Sequence, residues 1–216
     1  MRNLALRLEA ERCLDGVEIV RLRKPSGIGS PFYGAAGPIW FSCRSDRFEP
    51  FIREAINLED TLVVRFVNAD DDDKLIDFLT RFGLPEFLIT PAAIGFPAEP
   101  HNWVLGAQRE LRRLLQDAGG GDAVRAHKAA KRSLYLANDN RFSLRSDGRV
   151  AVTVGNLISF MRLEIAMVVE NGARVTSCKR CGHLFLYGKG TKRRSTGTYC
   201  RDLCRVGAYR ANKRGS

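Results

Sequence analysis

Four cysteines near the end of the chain, Cys178, Cys181, Cys200 and Cys204, stand in the spacing C-x2-C-x18-C-x3-C and restrict the fold more than any other feature of the sequence. Two close pairs of thiolates supply the four ligands of a tetrahedral Zn2+ shell and leave no position for water, so the metal they would hold is structural. Each part of the spacing has a use. Lys179 and Arg180 separate the first pair and Gly182 follows it, which suits a tight knuckle around one side of an ion. Residues 183–187 (HLFLY) read as one strand of a hairpin turned near Gly188, Lys189 and Gly190, and residues 201–213 read as a helix free of proline. Cys200 and Cys204 differ by four, which in a first helical turn puts both sulfurs on one face. Leu203 and Val206, with Tyr209, are then expected to pack inward. Knuckle, hairpin and helix together make a treble-clef-like module. His183 is a spare candidate ligand, but four cysteines suffice, and it is read as a neighbour of the site or an exposed residue. A thioredoxin-like redox role for the first pair would need a βαβ context, which the hairpin pattern does not offer.

The net charge of +11 is concentrated in this module. Residues 174–216 hold 12 Lys and Arg against one acid, Asp202, whereas residues 1–173 hold 23 of each sign. A one-sided basic surface attracts polyanions, and nucleic acid is the abundant one in a cell. Lys189, Lys192, Arg193 and Arg194 fall on the connection between the ligand pairs, and Arg201, Arg205, Arg210, Lys213 and Arg214 on the terminal helix. Four-residue steps relate Arg201 to Arg205 and Arg210 to Arg214. These nine are the candidate nucleic-acid contacts.

The remainder, residues 1–173, reads as a helix-rich α+β domain. Residues 1–13 alternate Leu with Arg and Glu and so build no signal peptide, and the apolar run at 165–169 is too short to span a bilayer. A cytoplasmic protein without membrane contact is expected, with reduced thiols, and the two remaining cysteines, Cys13 and Cys43, are read as isolated small buried residues. Strands fit 17–22 and 39–43, with turns at 25–27 and 34–38, and residues 61–67 (TLVVRFV) are β-branched and read as a further strand. Four aspartates, Asp70 to Asp73, open a helix that stops at Gly83, where they complement the helix dipole rather than bind metal. The proline-rich stretch 84–100 reads as an ordered connection. A second helix covers 103–118 and ends in Gly119-Gly120-Gly121, read as a flexible link. Asp122 caps a third helix to about residue 137, a hairpin turns at Ser146-Asp147-Gly148, and Asn156 caps a fourth helix to about residue 170.

The stretch "CKRCGHLF…RRSTGTYCRDLCRVGAYRANKR" resembles the C-terminal zinc finger of the CGNR family, in which a mostly helical ABATE-type domain precedes the finger; "LIDFLTRFGLP", with Phe66 and Asn68, is compatible with that domain. Where the family's name-giving motif reads Cys-Gly-Asn-Arg, this chain has Cys204-Arg205-Val206-Gly207. The family is described as bacterial transcription regulators, so the resemblance implies duplex-DNA binding by the zinc module, with residues 1–173 sensing a small molecule or protein partner or mediating oligomerisation. RNA binding, or a protein-interaction module with a purely structural zinc, are the alternatives. No enzyme is expected: the His-x-Glu and Pro-Cys-x-x-Cys of a zinc deaminase and a nucleophile elbow are both missing from the sequence.

Overall fold

The computed structural model describes residues 4–21, 39–55, 58–85, 97–137, 140–144, 150–191, 193 and 197–214. The expected turns at 25–27, 34–38 and 146–148 lie outside these residues. Strand β1 (Leu4–Cys13) follows directly from period two: Leu6 and Leu8 are buried while Glu9 is exposed. It is joined by β2 (Val17–Arg21), β3 (Ile39–Cys43) and β4 (Phe48–Ala55). The next two elements are helices, α1 (Leu62–Val67) and α2 (Asp72–Phe82), and a short strand β5 (Ala98–Pro100) leads into the long helix α3 (His101–Gly119). Helix α4 (Ala123–Leu136), strands β6 (Asn140–Leu144) and β7 (Val150–Val154) and helix α5 (Leu157–Asn171) follow, and the chain closes with β8 (Arg174–Ser177), β9 (Leu184–Tyr187) and helix α6 (Asp202–Arg214).

The fold is mixed α+β, with a helix-rich N-terminal region and a small C-terminal region that bears the four cysteines. Two compact units can be separated, each built from discontinuous segments. The first comprises Met1–Glu54, Ala69–Glu110 and Asn138–Phe160. It contains a four-stranded sheet in the order β4-β1-β7-β6, in which β1 and β7 run parallel, and an antiparallel sheet in the order β2-β3-β5. Helix α2 packs on β1 and β2 through Leu75, Phe78, Leu79 and Phe82. Asp71 caps it, its carboxylate accepting from the Lys74 amide at 2.8 Å, and Gly83 ends it with φ 91°. The aspartate run thus serves the helix terminus. Cys13 and Cys43 are buried as expected, but they are neither isolated nor reduced: they are bonded to one another, with Cα atoms 5.8 Å apart. The turn after β1, closed by the Gly16 amide on the Cys13 carbonyl, brings Val17 opposite Cys43 and so carries Cys13 to the end of β3.

The second unit comprises Ala55–Asn68, Leu111–Ala137 and Met161–Ser216. The boundary expected between residues 173 and 174 falls inside it, between α5 and β8. Residues 62–67 are helical here, although their composition favours a strand. Thr61 offers α1 no side-chain cap. The buried Glu164 of α5 supplies it: its two carboxylate oxygens accept from the Leu62 and Val63 amides at 3.0 and 2.7 Å. A long-range carboxylate on the helix N-terminus satisfies donors that no local residue reaches, and outweighs β-branched propensity.

The glycine run is likewise a packing device. Gly119 is the last residue of α3 and is buried; a Cβ there would stand 2.2 Å from Val175 Cγ2 and 2.5 Å from the Val175 amide nitrogen. Only glycine lets β8 pass this close to the helix end.

Candidate metal centre and its basic surround

Strand β8 leads into the knuckle, and β9 leads out of it. The two pair antiparallel from Arg174 opposite Tyr187 to Ser177 opposite Leu184, so the first cysteine pair sits at the tip of a hairpin. The sequence pointed to a hairpin that turns after residue 187, and a turn does close there, with the Gly188 amide donating to the Arg193 carbonyl at 3.0 Å. The partner of β9, however, is the strand before the knuckle. Residues 174–177 carry a sheet signal too short to read alone.

The knuckle is closed by the Cys178 amide on the His183 carbonyl at 2.8 Å and the Gly182 amide on the Cys178 carbonyl at 2.9 Å, with Gly182 at φ 73°. Cys200 lies two residues ahead of α6, and Cys204 lies in its first turn, held by its amide on the Arg201 carbonyl. All four sulfurs come within 4.8 Å of one another. Cys181 stands 3.4 Å from Cys200 and 3.8 Å from Cys204, and Cys200 stands 3.5 Å from Cys204. A tetrahedral zinc with Zn–S bonds of about 2.3 Å has sulfur–sulfur edges of about 3.8 Å. The donor set and its spacing therefore fit a divalent ion held by four thiolates. His183 contributes its carbonyl to the knuckle, and its ring is not among the ligand atoms gathered at the site.

Cys178 and Cys204 are buried with Phe185, and Tyr187, Tyr199 and Cys200 pack against them. Burial opposes ionisation of Cys178, but the backbone amides of Cys200, Cys181 and Arg180 aimed at its sulfur outweigh it and lower the thiol to about 6. Cys200 is pushed up by its burial and by the sulfurs of Cys181, Cys204 and Cys178 around it. Four sulfurs gathered without a cation compete for charge, and an ion at their centre resolves that competition.

Two contacts fasten the site to the rest of its unit. Asn68, at the C-terminus of α1, donates its Nδ2 to the Leu184 carbonyl and accepts the Leu184 amide on Oδ1, both at 2.8 Å. The Leu58 amide donates to the Gly190 carbonyl at 3.2 Å. Arg180 crosses the site, its Nη1 donating to the Leu203 carbonyl at 2.7 Å and its guanidinium lying where a Cβ on Gly207 would be.

Of the candidate nucleic-acid contacts, Lys189, Arg193, Arg201, Arg205, Arg210 and Lys213 are exposed. Lys192 and Arg194 lie outside the described residues, as does the side chain of Arg214. Arg193 lies over the Phe185 ring, 5.1 Å from its centroid, and Arg205 pairs with Asp202 at 3.1 Å. The side chain of Arg201 reaches the Cys204 sulfur, which raises its pKa. Leu203, Val206 and Tyr209 do not pack inward: they are 70%, 40% and 67% exposed. The ligand decides this. With Cys204 turned to the other sulfurs, the inner face of α6 is Cys204, Gly207 and Ala208, and positions 203, 206 and 209 rotate outward.

No family model matches the chain, and no curated protein sequence matches it. Among the described residues no helix is long and apolar enough to cross a membrane.

Proposed function

We propose that the four cysteines hold Zn2+ as a structural ion in a treble-clef-like module, akin to the CGNR zinc finger, and that this module binds duplex DNA as part of a cytoplasmic transcription regulator. The observation that carries the reading is the exposure of Arg201, just ahead of α6, and of Arg205, Arg210 and Lys213 along that helix, whose orientation Cys204 fixes. Long cationic side chains on a rigid helix suit phosphate contact, and four thiolates suit zinc without an open position for catalysis. The role assigned is therefore binding, with residues 1–173 as the part that meets a small molecule or protein partner.

Metal analysis of untagged protein never exposed to chelator should give one zinc per chain. Binding to mixed-sequence duplex should weaken with salt, and if the module neutralises about five phosphates it contributes roughly −4 to −5 to the slope of log affinity against log salt. Replacing Arg205, Arg210 and Lys213 by alanine should flatten the slope with zinc retained. The outward stripe of Leu203, Val206 and Tyr209 favours one second reading, a protein-interaction helix. Absence of binding to duplex DNA or RNA at low salt, in zinc-loaded protein, would give that second reading the field.

A further inference from the structure

The basic excess of the second compact unit is not confined to its cysteine-bearing segment. The second unit holds 20 Lys and Arg against 7 Asp and Glu, and the first holds 15 against 17. The excess of the second unit is larger than that of residues 174–216, because α4 belongs to it. Between Ala123 and Leu136 this helix carries Arg125, Lys128, Lys131 and Arg132 with no acidic residue.

All four cations are exposed, and steps of three and four place them on one face. The opposite seam is small: the buried residues of α4 are Ala129 and Ser133, with Ala126 and Ala130 half-buried. The helix is capped by the Asp122 carboxylate, which accepts from the Val124 and Arg125 amides and also pairs with the Arg125 guanidinium at 3.4 Å, and its last turn is tied to α5 by Arg162 Nη1 on the Leu136 carbonyl at 2.9 Å. Its buried seam is small and its cationic side chains turn outward, where a polyanion can meet them.

We infer that the outward face of α4 is a second phosphate-contacting surface for duplex DNA, in the same compact unit as the zinc module. The inference rests on the DNA-binding reading of that module. The geometry suits a phosphate strand: Arg125 and Arg132 are seven residues apart, about 10 Å along the helix axis, and duplex DNA advances roughly 3.4 Å per phosphate on each strand. The lysines suit backbone contact: Lys128 and Lys131 act as point charges that fit any phosphate, so their contribution adds affinity without sequence preference.

The test uses the full, zinc-loaded chain and a short mixed-sequence duplex, with fluorescence anisotropy read across a salt series. Lys128→Ala and Lys131→Ala combined should reduce the salt slope by about 2. Zinc content and thermal midpoint should stay unchanged, since both side chains are exposed. The loss should be the same for different duplex sequences, and should add to that of the α6 substitutions. If the wild-type chain binds and the α4 variant binds with the same slope, the inference is overturned and the zinc-module reading stands. If the wild-type chain fails to bind duplex at low salt, both fall. Binding to anionic phosphatidylserine vesicles that is lost in the α4 variant, while its duplex binding is unchanged, would also overturn it, because the occupant would then be a membrane surface.

Discussion

At Gly119 and Asn68 single residues decide whether the cysteine-bearing segment can dock within its unit. A methyl group at Gly119 would meet the Val175 backbone, which cannot swing aside as a flexible side chain can. Gly119→Ala should therefore cost about 2 kcal/mol, more than the helix propensity that alanine returns, and should lower the urea midpoint. A midpoint equal to wild type would show that β8 does not pass here. Asn68 acts as one more strand residue for Leu184, donating and accepting at 2.8 Å. Asn68→Ala leaves an amide and a carbonyl next to the knuckle without their partner, and about 2 kcal/mol of stability should be lost with zinc still bound. The triple glycine was legible as a helix stop, but its neighbour Val175 lies 56 residues onward, and no local pattern encodes a close approach of that separation.

Helix α6 and the β8–β9 hairpin have few buried apolar residues between them, chiefly Leu184, Phe185 and Leu186, so the metal should supply much of their folding energy, on the order of 10 kcal/mol. Chelation, or Cys200→Ser, should melt α6 in far-ultraviolet circular dichroism. Retention of that helix in demonstrably zinc-free protein would contradict a structural role. Acid should act in the same direction. Metal binding requires four thiolates, so protons compete and affinity falls as pH is lowered. Cys200, pushed up, gives its proton to solvent on binding throughout the neutral range, whereas Cys178, held at about 6, adds its share only as pH drops through that value. A competition titration with a zinc dye should thus steepen below pH 6. Helix α1 shows the other side of element-scale reasoning: residues 62–67 have strand composition, and a buried carboxylate 101 residues away on α5 makes them helical.

Across the whole molecule, cysteine-bearing and helical segments share one compact unit, so the expected boundary at residue 173 carries a measurable consequence. A chain ending at Ala173 would lack β8 against Gly119 and β9 against α1. Its thermal midpoint should fall below that of the full zinc-loaded chain by several degrees or more. An unchanged, cooperative transition in the shortened chain would make residue 173 a true domain boundary. The same discontinuity places α4 and its cations in the unit that bears the cysteines, since residues 111–137 belong to it.

Four thiols at C-x2-C-x18-C-x3-C specify a metal site by themselves, because ligand chemistry depends on residue type and spacing, and the same sequence places α2, α3, α4 and α5 through caps and apolar periodicity. The alternation of Leu with Arg and Glu at the start of the chain, read only against a signal peptide, turns out to be the two-residue period of β1. Pairing was not legible: β1 beside β7, β9 beside β8 and Cys13 bonded to Cys43 are contacts between distant segments, chosen by burial rather than by propensity. Nor was the outer face of α6. Apolar side chains usually turn inward, but Cys204 fixes the rotation of that helix, and a metal ligand outranks Leu203, Val206 and Tyr209 in deciding which face meets the protein.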